Sequence, residues 1–236
     1  MHVEAVRGRI AQAAERSGRD AAAIRIVAVT KGHPLEVVRA AAADGLLDIG
    51  ENRVQEALEK QDAWPDAPVR WHLIGHLQSN KARKAVGRFA LIHSLDSARL
   101  ADELEKAAAA RELVQDVLVQ VNVAREPQKT GVAPEEAEAL AAHAAALPHL
   151  RLRGLMTMAP LTDDERVIRA TFRGLRELGV RCRVSGVGLA SADTRPPTPG
   201  PVFELSMGMS GDFEIAVEEG ATLLRLGTIL FGERQP

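Results

Sequence analysis

Apolar positions along the chain follow two alternating patterns. Short runs rich in Val, Ile and Leu predict buried strands, and longer stretches with apolar residues every three or four positions predict amphipathic helices. The predicted strands are 24–30, 46–49, 69–74, 89–93, 117–123, 152–158, 202–206 and 223–226. The predicted helices are 3–16, 34–44, 51–61, 79–86, 96–111, 134–147, 163–178 and 212–219, followed by a short final helix after Gly227.

This alternation of eight strands with helices predicts an α/β protein with parallel strands. Right-handed crossovers allow either an open, doubly wound sheet or a closed barrel. Eight units in 236 residues favour a (β/α)8 TIM-type barrel with an extra N-terminal helix. No internal repeat or long linker divides the chain, so we expect one domain over residues 1–236. The Gly- and Pro-rich segment 185–201 is predicted to be an extended loop.

Composition and charge narrow the range of partners. The chain is 46% hydrophobic and carries a net charge of −2, so nothing in its charge favours nucleic acid or an anionic membrane. No apolar run approaches the roughly 20 residues of a membrane span. The N-terminus lacks a signal-peptide core, and the lone Cys182 cannot form an internal disulfide, so we expect a cytoplasmic protein. With 3% aromatic residues and no heptad pattern, we expect a monomer.

Candidate chemistry lies where the strands end, because barrels carry their sites at the C-terminal face. Lys31 directly follows the first strand, where partial desolvation would lower the pKa of its amine and make it nucleophilic. Gly-containing turns follow the last two strands, and there Ser206, Gly227 and Thr228 could hold a phosphate with hydroxyls and backbone N–H groups. The alternatives are a solvated lysine and two simple tight turns.

A nucleophilic amine and a phosphate site together suit a phosphorylated carbonyl compound that forms a Schiff base. Pyridoxal 5′-phosphate fits this description, and so does a phosphorylated sugar aldehyde. Arg225 lies two residues before Gly227 and therefore points to the same face of its strand. Inside a barrel it needs a partner, either a pyridine nitrogen or a carboxylate such as Glu204.

A metal site is not expected. His72 and His76 are four residues apart, but they fall on a strand and the loop after it rather than on one helix. No third acidic or thiol ligand lies nearby in the sequence.

Seven stretches, in order along nearly the whole chain, resemble the pyridoxal phosphate homeostasis protein family, small single-domain relatives of the alanine racemase N-terminal barrel. They are AVTK at 28–31, GENRVQE at 50–56, WHLIGHLQSNK at 71–81, KTG at 129–131, LRGLM at 152–156, LSMGMS at 205–210 and RLGT at 225–228. The resemblance implies a pyridoxal phosphate Schiff base on Lys31 with Asn52 beside the cofactor. It further implies a phosphate held by Ser206, Gly227 and Thr228, and Arg225 facing the pyridine nitrogen. Arg53 departs from the family pattern, in which a tyrosine is common at this position.

The resemblance also implies a function. Family members are associated with cofactor homeostasis in the cytoplasm, without metal and without a robust turnover, and apoenzymes are candidate recipients of the cofactor. The alternatives are an amino-acid racemase or related pyridoxal phosphate enzyme, and a Schiff-base aldolase. Racemases of this barrel type resemble one another in placing a tyrosine opposite the lysine, and this chain has none. We therefore expect a non-enzymatic binding protein.

Overall fold

The computed structural model describes residues 2–184 and 203–233. Eight parallel strands pair in chain order and close into a barrel through pairing of the first strand with the last, which confirms the predicted (β/α)8 fold. The strands are β1 Arg25–Val29, β2 Asp48–Glu51, β3 Arg70–Leu73, β4 Leu91–Leu95, β5 Gln115–Gln120, β6 Leu150–Met156, β7 Glu204–Ser206 and β8 Leu223–Leu226.

Helices surround the barrel. They are α1 Val3–Arg16, α2 Leu35–Ala43, α3 Val54–Ala63, α4 Ala82–Ala85, α5 Ala98–Ala109, α6 Ala137–Ala146, α7 Glu165–Val184, α8 Phe213–Glu218 and α9 Thr228–Phe231. The extra helix α1 has the predicted bounds and packs beside α8, with ion pairs from Arg9 to Glu214 and from Arg16 to Glu218. No helix within 2–184 or 203–233 combines the length and apolar character that a membrane crossing requires.

Several predicted boundaries differ from the structure. Strand β2 begins two residues later than predicted and ends at Glu51, because the carbonyl groups of Gly50 and Glu51 accept hydrogen bonds from residues after the two neighbouring strands. The predicted helix 79–86 is a 3₁₀ turn, Ser79–Lys81, followed by the single turn of α4. Strands β5 and β6 end at Gln120 and Met156, so the residues after them form loops at the C-terminal face. The predicted loop 185–201 lies outside the described residues.

The core has two parts. Most buried apolar side chains lie between the strands and the helices, where α1 contributes Val3, Val6, Ile10, Ala13 and Ala14 at helical spacing. A smaller cluster fills the barrel itself, with Val27, Leu91, Leu118, Met156 and Leu223. Burying a side chain of this size is worth about 1.5–3 kcal/mol, so both clusters stabilise the barrel substantially.

Candidate functional site

A cleft of about 420 Å³ opens where the C-terminal ends of the strands meet. Five of the six residues predicted from the sequence line it, namely Lys31, Asn52, Arg225, Gly227 and Thr228. The complete lining consists of Val29, Lys31, His33, Asn52, Ile74, Gly75, His76, Gln120, Thr130, Met158, Met209, Ser210, Gly211, Arg225, Gly227, Thr228 and Gly232. Barrel closure thus brings together residues that are nearly 200 positions apart in the chain.

The backbone on both sides of Lys31 is held by a buried charged cluster. Lys60 Nζ donates to the carbonyl oxygen of Thr30 at 2.9 Å, on one side of Lys31. The backbone N–H of Gly32, on the other side, donates to Glu56 Oε1 at 2.6 Å. Lys60 Nζ also donates to Glu56 Oε1, at 3.0 Å. We call Thr30, Glu51, Glu56 and Lys60 the Lys60 cluster, since Lys60 contacts each of the other three.

Glu51 is the most deeply buried charged member of the Lys60 cluster. Its Oε1 accepts hydrogen bonds from Lys60 Nζ at 2.7 Å and from the hydroxyl of Thr30 at 2.6 Å. Burial raises the pKa of the Glu51 carboxyl, and the hydrogen bond from Lys60 opposes that rise. Sequence reasoning missed this cluster. The available signal was the spacing of Glu56 and Lys60, four residues apart on α3.

Asn52 is positioned by close packing of the loop after β3. A Cβ atom at Gly75 would lie 2.3 Å from the backbone oxygen of Asn52, so only glycine permits this approach. The next residue, His76, lines the same wall of the cleft and pairs with Asp96 through Nδ1 and Oδ2 at 3.2 Å. The packing therefore joins the loops after β2 and β3 into one wall.

Arg225 is a buried cation at the base of the cleft. Its side chain projects from β8, and the residue is 5% exposed. Nη1 donates to Ser206 Oγ and Nη2 to the carbonyl oxygen of Thr157, each at 2.8 Å. Burial lowers the pKa of Arg225 to about 10, so the guanidinium remains charged at neutral pH. Glu204, the carboxylate considered as its partner, instead pairs with Arg25 at 2.5 Å.

Ser206 lies beneath the cleft rather than on its surface. The residue is fully buried, and its hydroxyl contacts Arg225 and the ring of His93. The serine that lines the cleft is Ser210, four residues further along the same LSMGMS stretch. Its Oγ accepts a hydrogen bond from the N–H of Ile229 at 3.3 Å, which ties the loop after β7 to the one after β8. Sequence reasoning missed Ser210 because alternation along a strand does not show how deep each residue lies.

The turn after β8 presents backbone donors to the cleft. Gly227 precedes α9 and lies against β1, where an added Cβ would be 3.3 Å from the carbonyl oxygen of Val29. Thr228 is the first residue of α9, so its N–H has no acceptor within the helix. Such N–H groups, with the Thr228 hydroxyl beside them, can bind an anion.

Comparison with known proteins identifies the family of this chain. A family model described as "Alanine racemase, N-terminal domain" matches residues 1–235. A protein of Aquifex aeolicus named pyridoxal phosphate homeostasis protein is 44% identical over 228 residues, which cover 96% of this chain and 94% of the relative. A Pseudomonas aeruginosa protein of the same name is 43% identical over 233 residues, which cover 99% of this chain and 94% of the relative. The chain belongs to the pyridoxal phosphate homeostasis protein family.

Membership of the pyridoxal phosphate homeostasis protein family confirms the resemblance carried by the seven stretches. All of them except LRGLM contribute at least one residue to the cleft lining. Among solved structures, PipY of Synechococcus elongatus with PLP bound has a TM-score of 0.77 and 36% identity, covering 94% of this chain and 100% of that one. Six of the seven stretches therefore reach the cleft at the C-terminal face of the barrel.

Proposed function

We propose that this protein, as a single barrel domain, binds pyridoxal 5′-phosphate as a Schiff base on Lys31 and takes part in the homeostasis of that cofactor without catalysing a reaction of its own. The observation that carries the proposal is the convergence of an amine, a buried guanidinium and an anion-binding turn on one cleft. The names of the curated relatives and the PLP-bound PipY structure support the choice of cofactor. We expect this role in the cytoplasm, with apoenzymes as recipients.

The residues present fit the three reactive parts of the cofactor. Pyridoxal phosphate would supply an aldehyde with which the Lys31 amine could condense to a C=N bond, with release of one water. Asn52 would lie beside the cofactor, and Arg225 would donate a hydrogen bond to the pyridine nitrogen. Gly227 and Thr228, together with Ser210, would hold the phosphate. A phosphorylated sugar aldehyde offers no ring nitrogen to Arg225, so the buried guanidinium favours pyridoxal phosphate.

Two groups act from outside the cleft. The Lys60 cluster fixes the peptide groups on either side of Lys31, so the amine is presented from a rigid backbone. Ser206 contributes through its hydrogen bond to Arg225, not through a hydroxyl that faces the phosphate.

Reductive trapping tests the assignment of Lys31. The purified protein with pyridoxal phosphate should absorb visible light, and borohydride should fix a pyridoxyl group on the peptide that contains Lys31. Lys31→Ala should abolish both signals and remain folded, because a side chain at the end of a strand adds little to the core. Lys84→Ala, at an exposed position on α4, serves as the matched control. A label found only on Lys60, Lys81 or Lys129 would refute the assignment.

The absence of rapid racemisation separates the binding protein from the enzyme alternative. Racemisation needs an acid–base group on each face of the substrate carbon, and the chain has no tyrosine to place opposite Lys31. Arg225 keeps its own proton at neutral pH, so it would leave the pyridine nitrogen unprotonated and the ring would be a weaker electron sink.

The racemisation assay is incubation of the loaded protein with L-alanine or L-serine in deuterated water. We expect α-proton loss and D-isomer formation well below about 1 s⁻¹, the low end of ordinary enzymes. Faster turnover would favour the racemase. If such turnover were lost in His76→Gln, the His76–Asp96 pair at the cleft wall would be identified as the second acid–base group.

A further inference from the structure

A line of polar side chains crosses the interior of the barrel from the cleft to its N-terminal end. Each is at most 5% exposed, and they come from β8, β7, β4, β3 and β2. Arg225 Nη1 lies 2.8 Å from Ser206 Oγ, which lies 2.9 Å from His93 Nδ1. His93 Nε2 lies 2.9 Å from His72 Nδ1, and His72 Nε2 lies 2.9 Å from Asp48 Oδ1. We call these five residues the interior chain.

The hydrogen bonds of the interior chain can run in only one direction. Arg225 has donors and no acceptor, so Ser206 Oγ accepts from it. Within the described residues the only other partner of Ser206 Oγ is His93, so the hydroxyl proton goes to His93 Nδ1. His93 then carries its proton on Nε2 and donates to His72 Nδ1. His72 likewise carries its proton on Nε2 and donates to Asp48.

The reverse direction fails at Ser206. If His93 donated from Nδ1, the Ser206 hydroxyl proton would have no acceptor among the described residues, and an unpaired buried donor is costly. The charged groups around His93 also favour a neutral ring. His72, Arg225, Arg25 and Asp48 all face it. Burial lowers the pKa of His93 well below the usual range, and the two guanidiniums and any positive charge on His72 act in the same sense, against the opposite influence of Asp48.

The far end of the interior chain is anchored by charge. Asp48 accepts from Arg70 Nε at 2.6 Å and from Arg70 Nη2 at 2.8 Å. Although burial acts in the opposite sense, the hydrogen bonds from His72 and Arg70 hold the pKa of Asp48 well below its usual range. Asp48 therefore stays an acceptor, just as Arg225 stays a donor at the other end.

We propose that Ser206, His93 and His72 are positioning residues that hold Arg225 in a single orientation toward the cleft, and that they couple the cleft to Asp48 at the N-terminal end of the barrel. Ser206 Oγ and the carbonyl oxygen of Thr157 each accept a hydrogen bond from the guanidinium of Arg225, and Arg225 also lines the cleft. Such preorganisation reduces the ordering cost of ligand binding. The expected effect on ligand affinity rests on the proposed function, whereas the hydrogen bonds of the interior chain do not depend on it.

Nitrogen NMR of ligand-free protein labelled with ¹⁵N-histidine tests the direction of the hydrogen bonds in the interior chain. At about pH 7.5 we expect both interior histidines to be neutral, protonated at Nε2 and unprotonated at Nδ1. Replacing the other five histidines one at a time, namely His2, His33, His76, His143 and His149, identifies the two interior resonances by elimination. An Nδ1–H tautomer, or an imidazolium at either interior position, would overturn the assigned direction.

Matched serine variants test the positioning role. Ser206→Ala should weaken pyridoxal phosphate binding about tenfold, the equivalent of one charge-assisted hydrogen bond, and shift the visible absorption maximum. Ser94→Ala makes the same chemical change at a buried site on β4 whose hydroxyl has no partner among the described residues. It should leave the affinity and the absorption maximum unchanged. His93→Leu should behave like Ser206→Ala, and His93→Gln should restore binding to within about twofold.

Asp48→Asn tests the coupling across the barrel. It should also weaken binding and move the absorption maximum, although it lies at the opposite end from the cleft. Unchanged affinity and spectrum in folded Ser206→Ala, His93→Leu and Asp48→Asn would refute the positioning role. If the wild type itself fails to bind pyridoxal phosphate, the proposed function is wrong, and the histidine tautomers alone decide the interior chain.

Discussion

Lys31 and Arg225 both line the cleft, but their environments differ. Lys31 is half-buried on a loop, whereas Arg225 is almost wholly buried on a strand and hydrogen-bonded from below. A guanidinium with a pKa of about 10 still holds its proton throughout the physiological range. In the proposed complex, Lys31 therefore forms the covalent bond, and Arg225 provides a hydrogen bond without giving up a proton.

The hydroxyl of Thr228 provides a test of the phosphate site. Thr228→Val keeps the shape of the side chain and removes one hydrogen bond to a charged group, so pyridoxal phosphate should bind about tenfold more weakly. Pyridoxal, which lacks the phosphate, should bind much more weakly than pyridoxal phosphate to the wild type and equally to both proteins. Equilibrium titration by absorbance measures all four affinities. An equal loss for both ligands would assign the Thr228 hydroxyl to another part of the cofactor.

At the scale of elements, α3 controls the loop between β1 and α2. Glu51 on β2 and Lys60 on α3 form a buried ion pair, and Lys60 also holds the carbonyl of Thr30. Isolated charges inside a protein are costly, so removal of one member should cost more than removal of both. The Lys60 cluster therefore links the stability of the barrel to the geometry of Lys31.

A double-mutant cycle tests this link. Lys60→Met should lower the free energy of unfolding by about 3–5 kcal/mol, because the Glu51 carboxyl is left buried without a cation. Lys60→Met combined with Glu51→Gln should recover part of that loss, and urea unfolding at neutral pH measures each variant. Lys84→Met, at an exposed site on α4, should change stability by less than about 0.5 kcal/mol. Strictly additive effects of the two substitutions would show that the pair is not coupled.

At the scale of the whole molecule, the interior chain makes stability depend on pH. The pKa of His93 is depressed by burial in the folded protein, so below an ordinary value of 6.5 the unfolded chain binds a proton that the folded protein does not. This contribution is fully present above about pH 6.5 and is lost as the pH falls. The depressed pKa of Asp48 adds a second loss only below its ordinary value of 3.8, so between about pH 7.5 and pH 5 His93 is the one of these two groups that contributes.

Urea unfolding between about pH 7.5 and pH 5 measures the contribution of His93. The wild type should lose up to about 1.4 kcal/mol per pH unit from this group at the acid end. His93→Gln, which cannot take up the proton when unfolded, should show a shallower slope over the same range. Identical slopes in the two proteins would mean that the folded state accommodates the imidazolium.

Much of this architecture was predictable from the chain. The alternation of apolar runs and amphipathic stretches identified eight strands and the helices between them, because these periodicities are local. Motifs such as AVTK and RLGT indicated the loops of the cleft before any contact was known. Boundaries failed where local preference was outweighed by pairing, as at Glu51, which continues β2 because its carbonyl oxygen accepts from the N–H of Ile74.

The sequence by itself determined the order of the elements, the family and the loops that carry Lys31, Asn52 and Thr228. Only the tertiary structure decided that Ser206 lies beneath Arg225, that Ser210 reaches the cleft, and that Lys60 holds the backbone beside Lys31. The reason is that depth inside a closed barrel depends on the stagger between strands, as in the pairing of Val27 with Arg225. That stagger is a property of the whole barrel and cannot be read from any one strand.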